Sequence, residues 1–324
     1  MKLSVIIPIY KAEKYIQRCA EALFQQTLED IEYVFIDDAS PDESVSILKC
    51  VLDKYPHRKS QTKILSNPIN MGVSYGRNRG LDVCTGSYVS FCDADDVVEK
   101  DAYEQMLKIA ISQKAEVVSC GVCLERNGDK EVLLYRDDYS SVLSKNKSLK
   151  EIEGVLYSSL WNRIMAVDLF KKNNIRFNNN VRMWEDLYAF FLVRYYSKSS
   201  AILNKPLYHY IINDGSMISD NVSAKYDSQM ECAKSLEIFL SNKEDKSYDK
   251  VLAFIKFHSK ALMFDSGNIH QWRRTFPETH KYLFSFMEFY GLARIIRYLL
   301  VIVGGQLGWK LLSLYTVIKQ NISK

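Results

Sequence analysis

What the sequence lacks narrows the field first. It has no clustered basic tract: 43 Lys and Arg stand against 39 Asp and Glu, a net charge of +4. That excludes a dedicated nucleic-acid binder and leaves anionic small molecules or lipid surfaces as partners. No glycine-rich phosphate loop follows the first apolar run, which leads directly into Pro8-Ile9-Tyr10. Internal repeats and low-complexity tracts are missing. No signal-peptide pattern opens the chain, because Lys11, Glu13 and Lys14 interrupt the short apolar "LSVIIPIY" at once, and a cytoplasmic location is expected. The seven cysteines are odd in number and lie in apolar company, and Cys120-Gly-Val-Cys123 has no second pair behind it. Buried thiols are therefore expected, not a disulfide framework or a zinc ribbon.

What is there is a chain of 324 residues, 47% of them hydrophobic, enough for one large domain plus a smaller one or an extension. In its first half, β-branched runs ("LSVIIPIY", "EYVFIDD", "TKILS", "SYVSF", "AEVVSCGV") alternate with helical patterns near Glu13–Gln26, Ser74–Cys84 and Asp101–Gln113. Ser40-Pro41-Asp42-Glu43 reads as a further helix start, with Ser40 as cap, Pro41 at the first helical position and Glu43 closing a capping box. This alternation predicts an α/β fold with a mostly parallel sheet and helices on both faces. Residues 1–218 are expected to form that domain and 219–324 a helical C-terminal region.

In such sheets ligands bind beyond the carboxyl ends of the strands. Three polar clusters fall there: Pro8 to Tyr10, Asp37 to Ser40, and Asp93 to Asp96. The last, in "SFCDADDVV", puts three carboxylates within four residues. Two carboxylates about 4 Å apart repel by roughly 4 kcal/mol at an effective dielectric of 20, so the cluster needs a cation or full hydration. Gly72, Gly76 and Gly80 recur every four residues, a smooth stripe on a helix that implies close packing or a ligand at the backbone. Glu185 and Asp186 open a run whose Leu187, Phe190 and Phe191 are expected to be buried. The two acids either complement a helix N-terminus or do chemistry.

Taken together, "SVIIPIYKAEKYI", "YVFIDDASPDES", "NMGVSYGRNRGL", "SYVSFCDADDVV", "LWNRIM" and "WEDLYAFF" resemble, in order and spacing, the family 2 glycosyltransferases, inverting enzymes of the Rossmann-like GT-A fold. The resemblance covers roughly the first two-thirds of the chain. It implies transfer of a single sugar from a nucleotide diphosphate sugar, with UDP as the expected nucleotide, to an acceptor hydroxyl of a bacterial-type surface polysaccharide or glycolipid. It implies Mn²⁺ or Mg²⁺ as cofactor, with Asp95 as direct ligand, Asp93 touching metal or ribose, and Asp96 supporting or capping. Pro8 and Tyr10 would hold the base, with Asn70 and Gly72 near it, and Asp38 would accept a hydrogen bond from uracil or ribose. Arg77 would meet the diphosphate or donor sugar, and Asp186 would be the general base. Trp161, Asn162 and Glu185 would line the acceptor site. One departure stands out: after "PLYHY" the family usually has an arginine, then His or Asn before a serine, whereas here Ile211 takes the arginine's place, with Asn213 and Ser216 following.

Two other classes share parts of this pattern, a sugar-phosphate nucleotidyltransferase and a non-catalytic nucleotide-sugar scaffold. Against the first stands the missing glycine-rich loop, and against the second the retention of every candidate acid. "QWRR" at Gln271–Arg274 is expected to be a basic surface turn, and His209 a partly buried strand residue. The final apolar segment, about 292–319, has Tyr298 to Trp309 as its longest uncharged run, short of the roughly 20 residues of a spanning helix. Two readings stand for it, a segment lying in a membrane interface on the inner face of the cell membrane or a core helical hairpin.

Overall fold

A computed structural model describes residues 1–134, 159–213, 222–244 and 248–322; of 222–226, 262, 288–289 and 312–322 it describes the backbone alone. The expected boundary near residue 218 and Ser216 lie outside the described residues. Those described fall into two compact units, residues 1–134 with 159–213, and residues 222–322.

The first unit is an α/β sheet domain. In chain order it holds β1 (Leu3–Ile9), α1 (Ile16–Phe24), β2 (Ile31–Asp37), α2 (Ser44–Asp53), β3 (Thr62–Ser66), α3 (Val73–Val83), β4 (Tyr88–Phe91), β5 (Val97–Val98), α4 (Ala102–Gln113), β6 (Val117–Arg126), β7 (Asp129–Leu133), β8 (Arg163–Ala166), α5 (Val167–Lys172), α6 (Glu185–Tyr196) and β9 (Ser200–Ile211). The sheet order is β3-β2-β1-β4-β8-β6-β9-β5, with β7 on β6. The strands β3, β2, β1 and β4 are mutually parallel, as the alternation requires. Beyond them β8 pairs antiparallel with both β4 and β6, and β9 parallel with β6.

Strands buried on both faces carry apolar residues in succession, and β1 and β2 are buried almost throughout. Phe24 of α1 packs edge-on against Tyr33 and Phe35 of β2. From the opposite face, Gly76 and Gly80 of α3 approach Ile36, Pro8 and Ile6. Helices thus cover both faces. A Cβ on Gly80 would clash with Ile6 Cγ2, whereas one on Gly76 would make ordinary 3.6 Å contacts. Close packing explains Gly80. Gly72 departs from the expected stripe: it precedes α3 at φ +88, a conformation that glycine adopts without strain.

The opening of α2 also differs from expectation. The helix begins at Ser44, not at Ser40. Asp37 Oδ1 accepts from the Ser40 amide at 2.9 Å and keeps that residue in the loop, while Asp42 Oδ1 accepts from the Ser44 amide at 3.2 Å.

The second unit is helical: α7 (Val222–Ser241), α8 (Asp249–Ser259), α9 (Ala261–Asp265), α10 (Ile269–Arg274) and α11 (Met287–Ile322). Its core is aromatic. Phe257 packs against Trp272, Phe286 and Tyr298, and Phe264 against Trp272, Tyr298 and Trp309. "QWRR" is therefore no surface turn. It belongs to α10, which buries Trp272 completely and leaves Arg273 and Arg274 exposed.

Within α11, Tyr290–Leu311 is long and apolar enough to cross a membrane by length and composition, with a mean hydropathy of 1.3. Gly291 and Gly305 break its helical geometry. The stretch between them, 292–304, rises only about 20 Å against a hydrocarbon core of about 30 Å. It buries Ile295, Tyr298 and Val301 and exposes Leu292, Ile296, Leu300 and Val303.

Candidate active site

The acidic turn after β4 is anchored at one end and open at the other. Asp96 is fully buried: Tyr208 Oη donates to its Oδ2 at 2.7 Å and the Ile211 amide to its Oδ1 at 2.9 Å. The Asp93 amide in turn donates to Tyr208 Oη at 3.2 Å. Burial, followed by the charges of Asp93 and Asp95, pushes the Asp96 carboxyl well above the ordinary carboxylate range. This residue fastens the turn to β9. Asp95 accepts from Asn213 Nδ2 at 3.0 Å, and its carboxyl is pushed up by burial and by Asp93. Asp93 stays about 30% exposed while reaching Arg77.

Arg77 joins this turn to the start of α6. Its side chain is 3% exposed, with Nη2 3.1 Å from Asp93 Oδ1 and Nη1 3.0 Å from Glu185 Oε1 and 2.7 Å from Asp186 Oδ1. Burial alone would lower the guanidinium pKa, but Asp186, Asp93 and Glu185 outweigh it and the net shift is upward. Trp184, in the left-handed region at φ +70, turns the chain into α6, so that Leu187, Phe190 and Phe191 are buried and both acids sit on the first turn. Asp186 Oδ2 also accepts from the Leu160 amide at 3.3 Å. Burial raises the Asp186 carboxyl above its usual value. The Glu185 carboxyl, through burial and the neighbouring Asp186 charge, is pushed up to about 7.

The remaining predicted residues divide between exposed groups and internal ones. Pro8 lies within β1, where its side chain faces Gly76 of α3; Tyr10, 45% exposed, follows at the carboxyl edge of β1, and Asn70 is exposed on the loop before α3. Asp38 is 4% exposed, and its oxygens accept from Asn67 Nδ2 and the amides of Met71 and Gly72 at 2.7 to 2.8 Å. Its carboxylate holds the loop that carries Asn70. Asn162 is fully buried, donating to the Cys120 carbonyl at 3.0 Å and accepting from Arg163 Nη1 at 2.7 Å. Trp161 is 6% exposed and stacks on Tyr208 and Tyr210 at 4.3 and 5.4 Å, so it braces β9 more than it floors a site.

The profile of glycosyl transferase family 2 matches residues 4–173. The chain belongs to that family. The uncharacterized glycosyltransferase YibD of Escherichia coli is 30% identical over 80% of this chain and 76% of its own length. The minor teichoic acid biosynthesis protein GgaB of Bacillus subtilis is 29% identical over 75% of this chain and 27% of its own. Among solved structures, Staphylococcus aureus TarS 1–349 with UDP-GlcNAc superposes with a TM-score of 0.72 at 22% identity, covering 87% of this chain and 81% of TarS. A Pyrobaculum calidifontis mannosyltransferase with GDP-Man and Mn²⁺ gives 0.56 at 14%, covering 88% and 74%. The fold is GT-A, and the protein is a glycosyltransferase.

In a family 2 enzyme a divalent ion is implied at the acidic turn, and the residues present fit one. Asp93 and Asp95 offer only oxygen donors, the set that suits a hard cation. Burial first, and then the neighbouring Asp93 charge, raises the Asp95 carboxyl. The site also contains groups that sequence reasoning missed. Asn213, which stands at the family's His-or-Asn position without a role assigned to it, grips Asp95, and Arg18 Nη2 donates to the Asp95 carbonyl at 2.9 Å. Neither has a local signal, since each lies 77 or more residues from its partner.

Proposed function

We propose that this glycosyltransferase moves one sugar from a nucleotide diphosphate sugar, with UDP as the nucleotide, to a hydroxyl of a surface polysaccharide or glycolipid, with inversion. UDP-GlcNAc in TarS supports the donor class, and the teichoic acid role in GgaB's name supports the acceptor class. Asp93 and Asp95 would hold Mn²⁺ or Mg²⁺, which when bound neutralises the charge of the departing diphosphate. Pro8, Tyr10, Asn70 and Gly72 form the nucleoside side, with Asp38 fixing their loop. Arg77 sits at the junction of donor and acceptor sides. Asp186 takes the proton of the attacking hydroxyl, its raised pKa bringing it nearer to working pH. Glu185 lies beside it toward the acceptor.

The observation that carries this reading is the Arg77 bridge: a single guanidinium touches Asp93 on the metal side and Asp186 on the acceptor side. That proximity supports an arrangement in which an ion-binding carboxylate and a base flank one sugar. Asp186→Asn is expected to lower transfer by about 10²–10⁴-fold while UDP-sugar affinity, read by calorimetry, stays within a few-fold of the parent. Normal turnover by that variant would end the mechanism. The exposed apolar residues of α11, bordered by exposed Arg297 and Lys310, support peripheral contact with an anionic lipid surface on the cytoplasmic face.

A further inference from the structure

Away from the acidic turn, two strands bring a second donor set together. Cys123 and Glu125 alternate onto one face of β6, and His209 on β9 is the register partner of Cys123. The Cys123 sulfur, a Glu125 carboxylate oxygen and a His209 ring nitrogen all lie within 4.8 Å of one another. His209 Nδ1 is 2.6 Å from Glu125 Oε1, and its Nε2 is 2.7 Å from Oε1 of Glu99, just past β5. Cys123 is buried, His209 and Glu125 are largely so, and Glu99 is half exposed. Glu125, His209 and Glu99 line a cleft of about 380 Å³ together with Arg18, Glu21 and Lys130.

We propose that Cys123, Glu125 and His209 bind a zinc-class divalent ion, separate from the hard-cation position at Asp93 and Asp95. Three features argue for it. Thiolate, imidazole and carboxylate together select a borderline metal over Mg²⁺ or Mn²⁺. Glu99 can accept the Nε2 hydrogen of His209, which fixes the tautomer that turns the Nδ1 lone pair toward Cys123 and Glu125, as outer carboxylates do for metal-ligating histidines. The distances require little movement: tetrahedral coordination at 2.0–2.3 Å separates ligand atoms by about 3.3–3.7 Å, so Nδ1 and Glu125 part by under about 1 Å while the sulfur closes in. Lys130 Nζ, 2.8 Å from Glu125 Oε1, must yield that oxygen, and its 57% exposure lets it swing into water. A fourth position opens to the cleft. The ion would clamp β6 to β9 within two residues of Tyr208 and Ile211, the groups that fasten Asp96.

The test uses the full chain, stripped with chelator, titrated with Co²⁺ under excess Mg²⁺. One equivalent is expected to bring up a near-ultraviolet thiolate-to-cobalt band that added Zn²⁺ abolishes. Cys123→Ser and, as an independent variant, His209→Gln should each lose it. Cys50→Ser and Asp95→Asn should keep it, the latter separating this site from the proposed donor site. Glu99→Gln should weaken the apparent affinity about 10–100-fold. No band in the parent protein, or an undiminished band in Cys123→Ser, overturns the proposal.

Discussion

Arg77 is the residue on which both sides of the site depend. Three carboxylates surround a guanidinium that is 3% exposed, so Arg77→Gln leaves buried acids without a counter-charge. A loss of about 3–5 kcal/mol in denaturant-unfolding stability is expected. Glu185 gives a pH signature. Its folded carboxyl titrates near 7 and its ordinary value is 4.5, so between these the folded state binds the extra proton. The stability contributed by that proton is fully present below pH 4.5 and is lost as pH rises toward 7. Melting temperatures in chelator should therefore fall across this window, and Glu185→Gln should flatten the fall; an unchanged slope in that variant would assign the effect elsewhere. The carboxylates were legible in the sequence as residues with chemistry to do. Their convergence on Arg77 was not, because Asp93 lies 16 positions away and Glu185 and Asp186 lie 108 and 109 away. Nothing local announces that Asp38 carries the loop before α3.

At the level of elements, α3 makes the sharpest contrast. Gly80→Ala drives a methyl group into Ile6 and should cost about 1–3 kcal/mol by overpacking. Gly76→Ala meets only ordinary contacts and should gain up to about 1 kcal/mol from helix propensity. Equal effects in thermal melts would contradict the packing described. Periodicity revealed α1, α3 and α4 and the parallel strands β1 to β4, because each buries a face whose spacing is written locally. The insertion of β8 between β4 and β6 was not readable. That register is set by partners such as Met165 against Val89 and Val117, far apart in the chain. The start of α2 was misread because Asp37, outside the capping tetrapeptide, takes the Ser40 amide.

For the whole molecule, the proposed membrane contact rests on the exposed apolar face of the C-terminal helix. Leu292, Ile296, Leu300 and Val303 are 46–85% exposed, and the protein is expected to sediment with anionic vesicles and be released by salt, since exposed Arg297 and Lys310 supply a screenable attraction. Val303→Glu should weaken that sedimentation several-fold with soluble-acceptor turnover unchanged, and equal sedimentation of both proteins would discard the contact. The two glycine breaks have a consequence for biogenesis. Before Gly291 and Gly305 take up their bends, Tyr290–Leu311 is a 22-residue segment that, despite Arg294, Arg297 and Lys310, is long and apolar enough to cross a membrane by length and composition; afterwards it is a short rod held by aromatic neighbours. Slow maturation of the helical unit should thus divert newly made chains into a carbonate-resistant membrane fraction, a kinetic partition that chaperone supply would tilt.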